Sequence, residues 1–445
     1  MSSPPATTPA GSGLRRELGR WDLTAVGVNQ VIGGAVFAQP SLYAAIVGGW
    51  SPWLVAVVGL ASLLIALSFA EVSSRFDGTG GPYLYTRAAF GRFAAFEVGW
   101  MLWFTRAASW AAVINVLATA LGFYSPALAS GWPRAAFIST ITVTIAAINI
   151  RGIRQSSLVL NVLTVGKLLP LVIFVAVGIF FIDPALLVLR HSPSLAELSS
   201  TGLLLIFAFG GYEVIPVPAG EARDPRRAVP FALIMTIVIV SLVMTLVQIV
   251  ALGTLPGLAA SRTPLADAAA LFMGGTGAAL LTLGAVLSTT GNNMGQALSG
   301  SRNLFALAEQ GDLPRVFGWV HPQFRTPVNA ILVTSAVSLA LALSGRYSDL
   351  ALVSAISRLL VYVATCASVL RLRSAEFSGR VNPPTFVVPF GPVIPGAAIA
   401  IAVAMLAGAR REQLIAGIVS LLVGAVLYLI AVRSIRGGAA IENQL

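Results

Sequence analysis

Apolar residues run almost unbroken in stretches of about 20, separated by short polar or Gly- and Pro-rich segments. Stretches of that length cross a bilayer as helices. They fall near residues 23–47, 52–74, 93–122, 134–150, 156–182, 201–220, 228–253, 276–301, 328–343, 350–370, 390–409 and 414–432. The pattern predicts an all-α polytopic membrane protein with twelve transmembrane helices. The third stretch is long enough to tilt, and the ninth is short.

Two stretches are interrupted. The first contains Val31-Ile32-Gly33-Gly34-Ala35, and the sixth contains Phe207-Ala208-Phe209-Gly210-Gly211, followed by Glu213, Pro216 and Pro218. An unwound segment frees backbone N–H and C=O groups that lipid cannot satisfy. Helices one and six would open two five-helix repeats, so the interruptions fall at corresponding positions. Such matched interruptions are the best sequence pointer to a transporter binding site. Amides at the start of a half-helix suit a carboxylate, and freed carbonyls suit an ammonium. Glycine pairs also let membrane helices pack closely, but the matched positions favour a site.

Composition supports the membrane reading. Hydrophobic residues make up 57 % of the chain and charged residues 10 %, against about 25 % charged in soluble domains. The formal charge of +11 would suggest nucleic acid in a soluble protein; here it orders topology, and no nucleic-acid partner is expected. With the amino terminus cytoplasmic, the outer segments hold Arg134, Arg190, Arg262, Arg346, Arg410 and Arg411. Arg106 and Arg358 fall inside helices, and the remaining arginines lie on the inner side. By the positive-inside rule both termini are cytoplasmic, in a bacterial inner membrane. Residues 1–20 read as a disordered tail without a cleavable signal. Residues 21–182 and 201–373 read as the two repeats, and 388–436 as two peripheral helices. The single cysteine, Cys366, excludes a disulfide framework and a cysteine metal site. His191 and His321 fall in loops, and no metal or cofactor is expected.

Lys167 is the only lysine. It interrupts the fifth apolar stretch, where a cation is costly and marks function by default. Arginine keeps its proton in such a site, whereas lysine can release it. A bias toward arginine with one leftover lysine is the bland alternative, but a leftover would more often fall in a loop.

Several segments resemble the amino acid–polyamine–organocation (APC) permeases. They are Ile32-Gly33-Gly34-Ala35-Val36-Phe37, Ala70-Glu71-Val72-Ser73-Ser74-Arg75-Phe76, Gly80-Gly81-Pro82-Tyr83-Leu84-Tyr85, Ala89-Phe90-Gly91, Phe207 to Glu213, Gly220 to Pro230, Ser301-Arg302 and Gly311-Asp312-Leu313-Pro314. Together they span residues 21–330; beyond that the likeness is in hydropathy and spacing. The resemblance implies a LeuT-type fold, ten core helices in a 5+5 inverted repeat with broken helices 1 and 6, plus two peripheral helices. It implies transport of an amino acid or related amine by alternating access. It places Val31, Ile32, Gly33, Gly34 and Ala35 against substrate from helix one, and Phe207, Ala208 and Gly210 from helix six, with Phe207 as an aromatic lid or, alternatively, a packing residue. Gly34-Ala35 stands where the family usually has Ser-Gly, so one hydroxyl donor is missing. Lys167 matches a lysine that replaces a bound sodium ion in some members, bridging helix-one carbonyls and helix-eight hydroxyls, with Thr289, Thr290 and Asn292 as candidate partners. Protons would then couple transport.

Other intramembrane polar groups have two readings each. Glu213 could couple or gate, or it could cap the second half-helix. Arg106 could bind an acidic substrate side chain or pair with Glu213; the structural reading, pairing with Glu97 or snorkelling, is favoured. Arg358 is expected to pack or pair structurally. Asn293 and Gln296 could set side-chain preference or bind helices together. A channel would want pore-lining rings. An enzyme would want a nucleophile elbow, a His-rich motif or a phosphate loop, and Gly78-Thr79-Gly80-Gly81 lacks the Lys-Ser/Thr of the last. A secondary amino acid transporter is the leading reading, and a polyamine carrier or metabolite exchanger is the runner-up.

Overall fold

Proline starts and glycine ends many of the helices. Pro52 opens α4 (Ser51–Ser73), Pro82 opens α5 (Pro82–Phe90) and Pro225 opens α10 (Pro225–Thr254), where a fixed φ and a missing N–H cost nothing. Gly91, at φ 84°, turns the chain from α5 into α6 (Arg92–Leu121), a conformation open to glycine. The computed structural model describes residues 18–442 apart from 79, 123–124, 152–156, 191, 218 and 325. Most of the tail expected at 1–20, with Pro218 and His191, lies outside the described residues.

The described residues form helices and no strands. The first apolar stretch is three pieces, α1 (Arg20–Val31), α2 (Ala35–Ala38) and α3 (Pro40–Val47). After α6 come α7 (Gly131–Arg151), α8 (Ser157–Gly178) and α9 (Leu195–Phe209). The second half of the chain, after α10, holds α11 (Pro264–Glu309), α12 (Val328–Ser344), α13 (Tyr347–Leu372), α14 (Val393–Ala407) and α15 (Arg411–Glu442). Each expected apolar stretch coincides with a helical segment. Eight segments are long and apolar enough to cross a membrane by themselves, and three shorter apolar helices accompany them, among the described residues.

Two of the boundaries that differ from expectation shape the site. The sixth stretch is helical only to Phe209 and continues in short 3₁₀ turns, Tyr212–Val214 and Ala219–Glu221. The eighth begins at Pro264, because Gly274 (φ 66°, ψ −163°) joins a separate arm to the apolar helix. The arm is itself mostly apolar, with Asp267 its one charged residue, and Gly274 and Gly275 made the apolar stretch read as starting after them.

α6 is buried along most of its length and packs against α11 and α13. Small residues permit the approach: a methyl added at Gly300 of α11 would lie 3.2 Å from Arg106 Cβ. One end of the molecule is closed by polar contacts. Asp312 accepts from Tyr83 Oη at 2.8 Å and Arg92 Nε at 2.5 Å. Burial and that carboxylate hold the Tyr83 phenol well above its usual range. Glu71 accepts from Arg373 Nε at 2.7 Å and from the Val388 amide at 2.9 Å. Arg226 Nε donates to Ser74 O at 2.8 Å. At the other end a cavity of about 970 Å³ opens between α3, α6, α7 and both arms of α11.

Candidate functional site

The first break is a three-residue gap. Ile32, with ψ 81°, leaves the helical region, and α2 starts afresh at Ala35. Fixed side chains hold the carbonyls that the gap exposes. Lys167 Nζ, from α8, donates to Asn29 O at 2.9 Å and Ile32 O at 3.0 Å. Ser288 Oγ, from α11, donates to Ile32 O and Gly33 O, each at 3.1 Å. Asn292 Nδ2 donates to Gln30 O at 2.9 Å. Ala35 and Val36 begin α2, so their amides have no acceptor within it.

The second break touches the first. Gly211 has φ 131°, and a methyl added there would lie 2.7 Å from Gln30 O and 3.0 Å from Val31 N. Only glycine fits a positive φ and so close a backbone contact. Gly210 lies against the guanidinium of Arg358, which any side chain at 210 would strike. Arg358, from α13, donates through Nη1 to Phe207 O at 3.3 Å and Ile206 O at 3.5 Å. The guanidinium also stands 5.9 Å from the Phe207 ring centroid, within cation–π range.

Between the breaks lies a buried ionic cluster. Glu213 Oε1 accepts from Arg106 Nη2, of α6, and from Arg358 Nε at 2.9 Å. Glu213 Oε2 accepts from Gly211 N at 2.8 Å and Tyr362 Oη at 3.1 Å. Arg106 Nη1 continues to Gln296 Oε1 at 3.2 Å, and Gln296 Nε2 to Asn292 Oδ1 at 3.3 Å. An unbroken chain of hydrogen bonds thus joins the helix-six break to the Gln30 carbonyl of helix one. A buried ion pair is held only when its remaining hydrogen-bonding capacity is met, and the carboxylate's is.

The structure therefore brings together Val31, Ile32, Gly33, Lys167, Phe207, Gly210, Glu213, Arg106, Asn292 and Gln296. Of the two carboxylates considered for Arg106, its partner is Glu213; Glu97 faces α15, where a methyl added at Gly424 would lie 2.8 Å from Glu97 Oε2. Gly34 packs instead against Thr289 and Val116, a methyl there lying 3.0 Å from Thr289 Cγ2. The Thr289 hydroxyl turns back to Ala285 O at 2.6 Å in its own helix, and Thr290 is half-buried. The helix-eight hydroxyl beside Lys167 is thus that of Ser288. Its signal was available: 288, 292 and 296 recur every four residues and share one helix face, whereas 289 and 293 belong to the next. Asn293 is buried with neither amide atom paired among the described residues, and Ala208 is buried beside Phe207. Gly211 is marked in the sequence as part of the glycine pair but not as the point of contact with helix one, and Tyr362 carries no sequence signal, because contact across the two breaks is not written in either helix alone.

Known proteins resemble the chain over nearly all of this frame. The family model described as amino acid permease matches residues 18–410. An uncharacterised transporter of Mycobacterium tuberculosis is 31 % identical, covering 87 % of this chain and 89 % of its own. The branched-chain amino acid permease BcaP of Bacillus subtilis is 27 % identical over 95 % of this chain and 94 % of its own. The serine/threonine exchanger SteT of the same organism is 28 % identical over 87 % and 90 %. The match takes in both breaks, the ionic cluster and the closed end, and the chain belongs to the amino acid permeases of the APC superfamily, multi-pass membrane transporters rather than enzymes.

Proposed function

We propose that the protein is a secondary transporter of amino acids in a bacterial inner membrane, working by alternating access, pH-dependent and independent of sodium. The reading assigns twelve spans with both termini cytoplasmic, two inverted repeats over 21–182 and 201–373, and peripheral helices over 388–436. The observation that carries it is the meeting of the two breaks, Gly211 against Gln30 and Val31. Two interrupted helices crossing at one point make a polar locus inside a membrane-spanning bundle, the architecture of a midplane binding site. The amides of Ala35 and Val36 would receive the substrate carboxylate, and Phe207 would cover it. Exchange is the second reading, favoured by the likeness to the serine/threonine exchanger SteT.

In this reading Lys167 is the coupling group. Its ammonium spans the two carbonyls of Asn29 and Ile32, so losing the proton weakens both contacts and loosens the helix-one break. Uptake by the purified protein in liposomes is expected to vary with pH and to persist when sodium is replaced by choline. Lys167→Ala is expected to lower the rate at least tenfold, on the order of 1.4 kcal/mol, and to flatten the pH profile. A sodium requirement, or an unaltered pH profile in the variant, would remove the coupling role.

A further inference from the structure

The buried centre carries more positive than negative charge. Lys167, Arg106 and Arg358 are all at or below 2 % exposure, and Glu213, at 0 %, is the one acid among them. The balance is positive whether or not Lys167 holds its proton. Both Glu213 oxygens are taken by Arg106, Arg358, Tyr362 and the Gly211 amide. Arg106 Nε, fully buried, still has no acceptor among the described residues. Excess buried charge is costly until an opposite charge meets it. A zwitterion brings no net charge to the site. A second carboxylate does.

The cavity at the open end points the same way independently. Arg134, Arg262 and Arg346 line it, and among the described residues no Asp or Glu does. The sequence puts these three on the side where loops ordinarily avoid arginine. Arg134 is fixed by hydrogen bonds to Asn115 O at 2.9 Å and Asn115 Oδ1 at 3.0 Å. Arg262 and Arg346 are exposed and form no ion pair among the described residues. Nearby Asp267 accepts from the Ser261 and Thr263 hydroxyls, and Asp349 is exposed outside the lining. Phe37 and Ala38 of α2, the helical segment that follows the first break, also line it, with Ala285 of α11. A cleft lined by one sign of charge concentrates the opposite ion.

We infer that the preferred substrate is an amino acid with a carboxylate side chain, drawn in by the arginine-lined vestibule and neutralising the positive centre at Arg106. The inference rests on the amino acid transport proposed above and names the substrate class of that site. Its test is counterflow in liposomes with radiolabelled L-glutamate, L-leucine and L-arginine, one for each charge class. Glutamate is expected to have the highest kcat/KM. In the Arg262→Glu/Arg346→Glu variant its KM should rise by roughly tenfold, the lower end of electrostatic focusing, with the maximal rate retained. Arg262→Lys/Arg346→Lys should keep the parental KM. Preference for leucine or arginine overturns the inference and leaves amino acid transport standing. An unchanged glutamate KM in the charge-reversed variant overturns the role of the vestibule. Failure of all three to exchange, with the protein folded, overturns the transport reading itself.

Discussion

Replacing Glu213 with alanine is expected to destabilise the protein by about 3–5 kcal/mol, the cost of leaving a buried charge without its partner. Here two guanidinium groups lose the same carboxylate, since Arg106 and Arg358 both donate to Oε1. Both are buried beyond the reach of water, so hydration cannot replace the lost contact. The Gly211 amide and the Tyr362 hydroxyl lose their acceptor as well. The effect is read as a lowered apparent melting temperature in detergent. Converting the cluster to apolar residues together, Glu213→Leu with Arg106→Met and Arg358→Met, should recover much of the stability, because an apolar core of similar volume does not need the pair. Transport should stay lost in that triple variant. A Glu213→Ala protein that melts with the parent would mean the cluster does not hold the two breaks together.

The second large effect is expected at Gly211. Its φ of 131° is a conformation that side chains rarely adopt, and a Cβ would press on the Gln30 carbonyl at 2.7 Å. Strain of this kind costs about 1–3 kcal/mol, and the backbone contact allows no easy relief. Gly211→Val should abolish uptake in liposomes while the protein still purifies as a folded species. Gly211→Ala should retain a small fraction of the activity. Parental uptake in the alanine variant would show that the breaks need not touch for transport.

Much of this arrangement was legible in the chain, for identifiable reasons. Helix positions followed from apolar length, since lipid leaves the backbone few alternatives. The breaks at Gly33-Gly34 and Gly210-Gly211 were visible because glycine pairs stand out in apolar runs. Lys167 was visible as a cation where none is expected. Arg358 reads in the sequence as a residue that packs or pairs, but neither the choice nor the partner follows from it. Residues 213 and 358 are far apart in the chain, and only tertiary packing brings their helices together. Ser288 was passed over for Thr289 because adjacent hydroxyls differ only in helical phase. The arginines of the vestibule looked like exceptions to a topology rule. Their convergence depends on the Gly274 kink, which swings the arm from Pro264 into the cavity wall.

The tethering of Lys167 and Arg358 to the two breaks bears on what the carrier can do when empty. In a carrier whose unwound backbone is completed only by cargo, the unloaded return step leaves peptide groups unpaired in a dry interior, and turnover is tied to having a passenger in both directions. Here the Ile32, Phe207 and Ile206 carbonyls already have donors supplied by the chain. On the carbonyl side the unladen return is therefore eased, and the Ala35 and Val36 amides and Arg106 Nε are left for cargo to meet. Net flux into liposomes that contain no amino acid should approach the flux into preloaded ones. A large acceleration by internal amino acid would mean that the built-in cations do not suffice for the return.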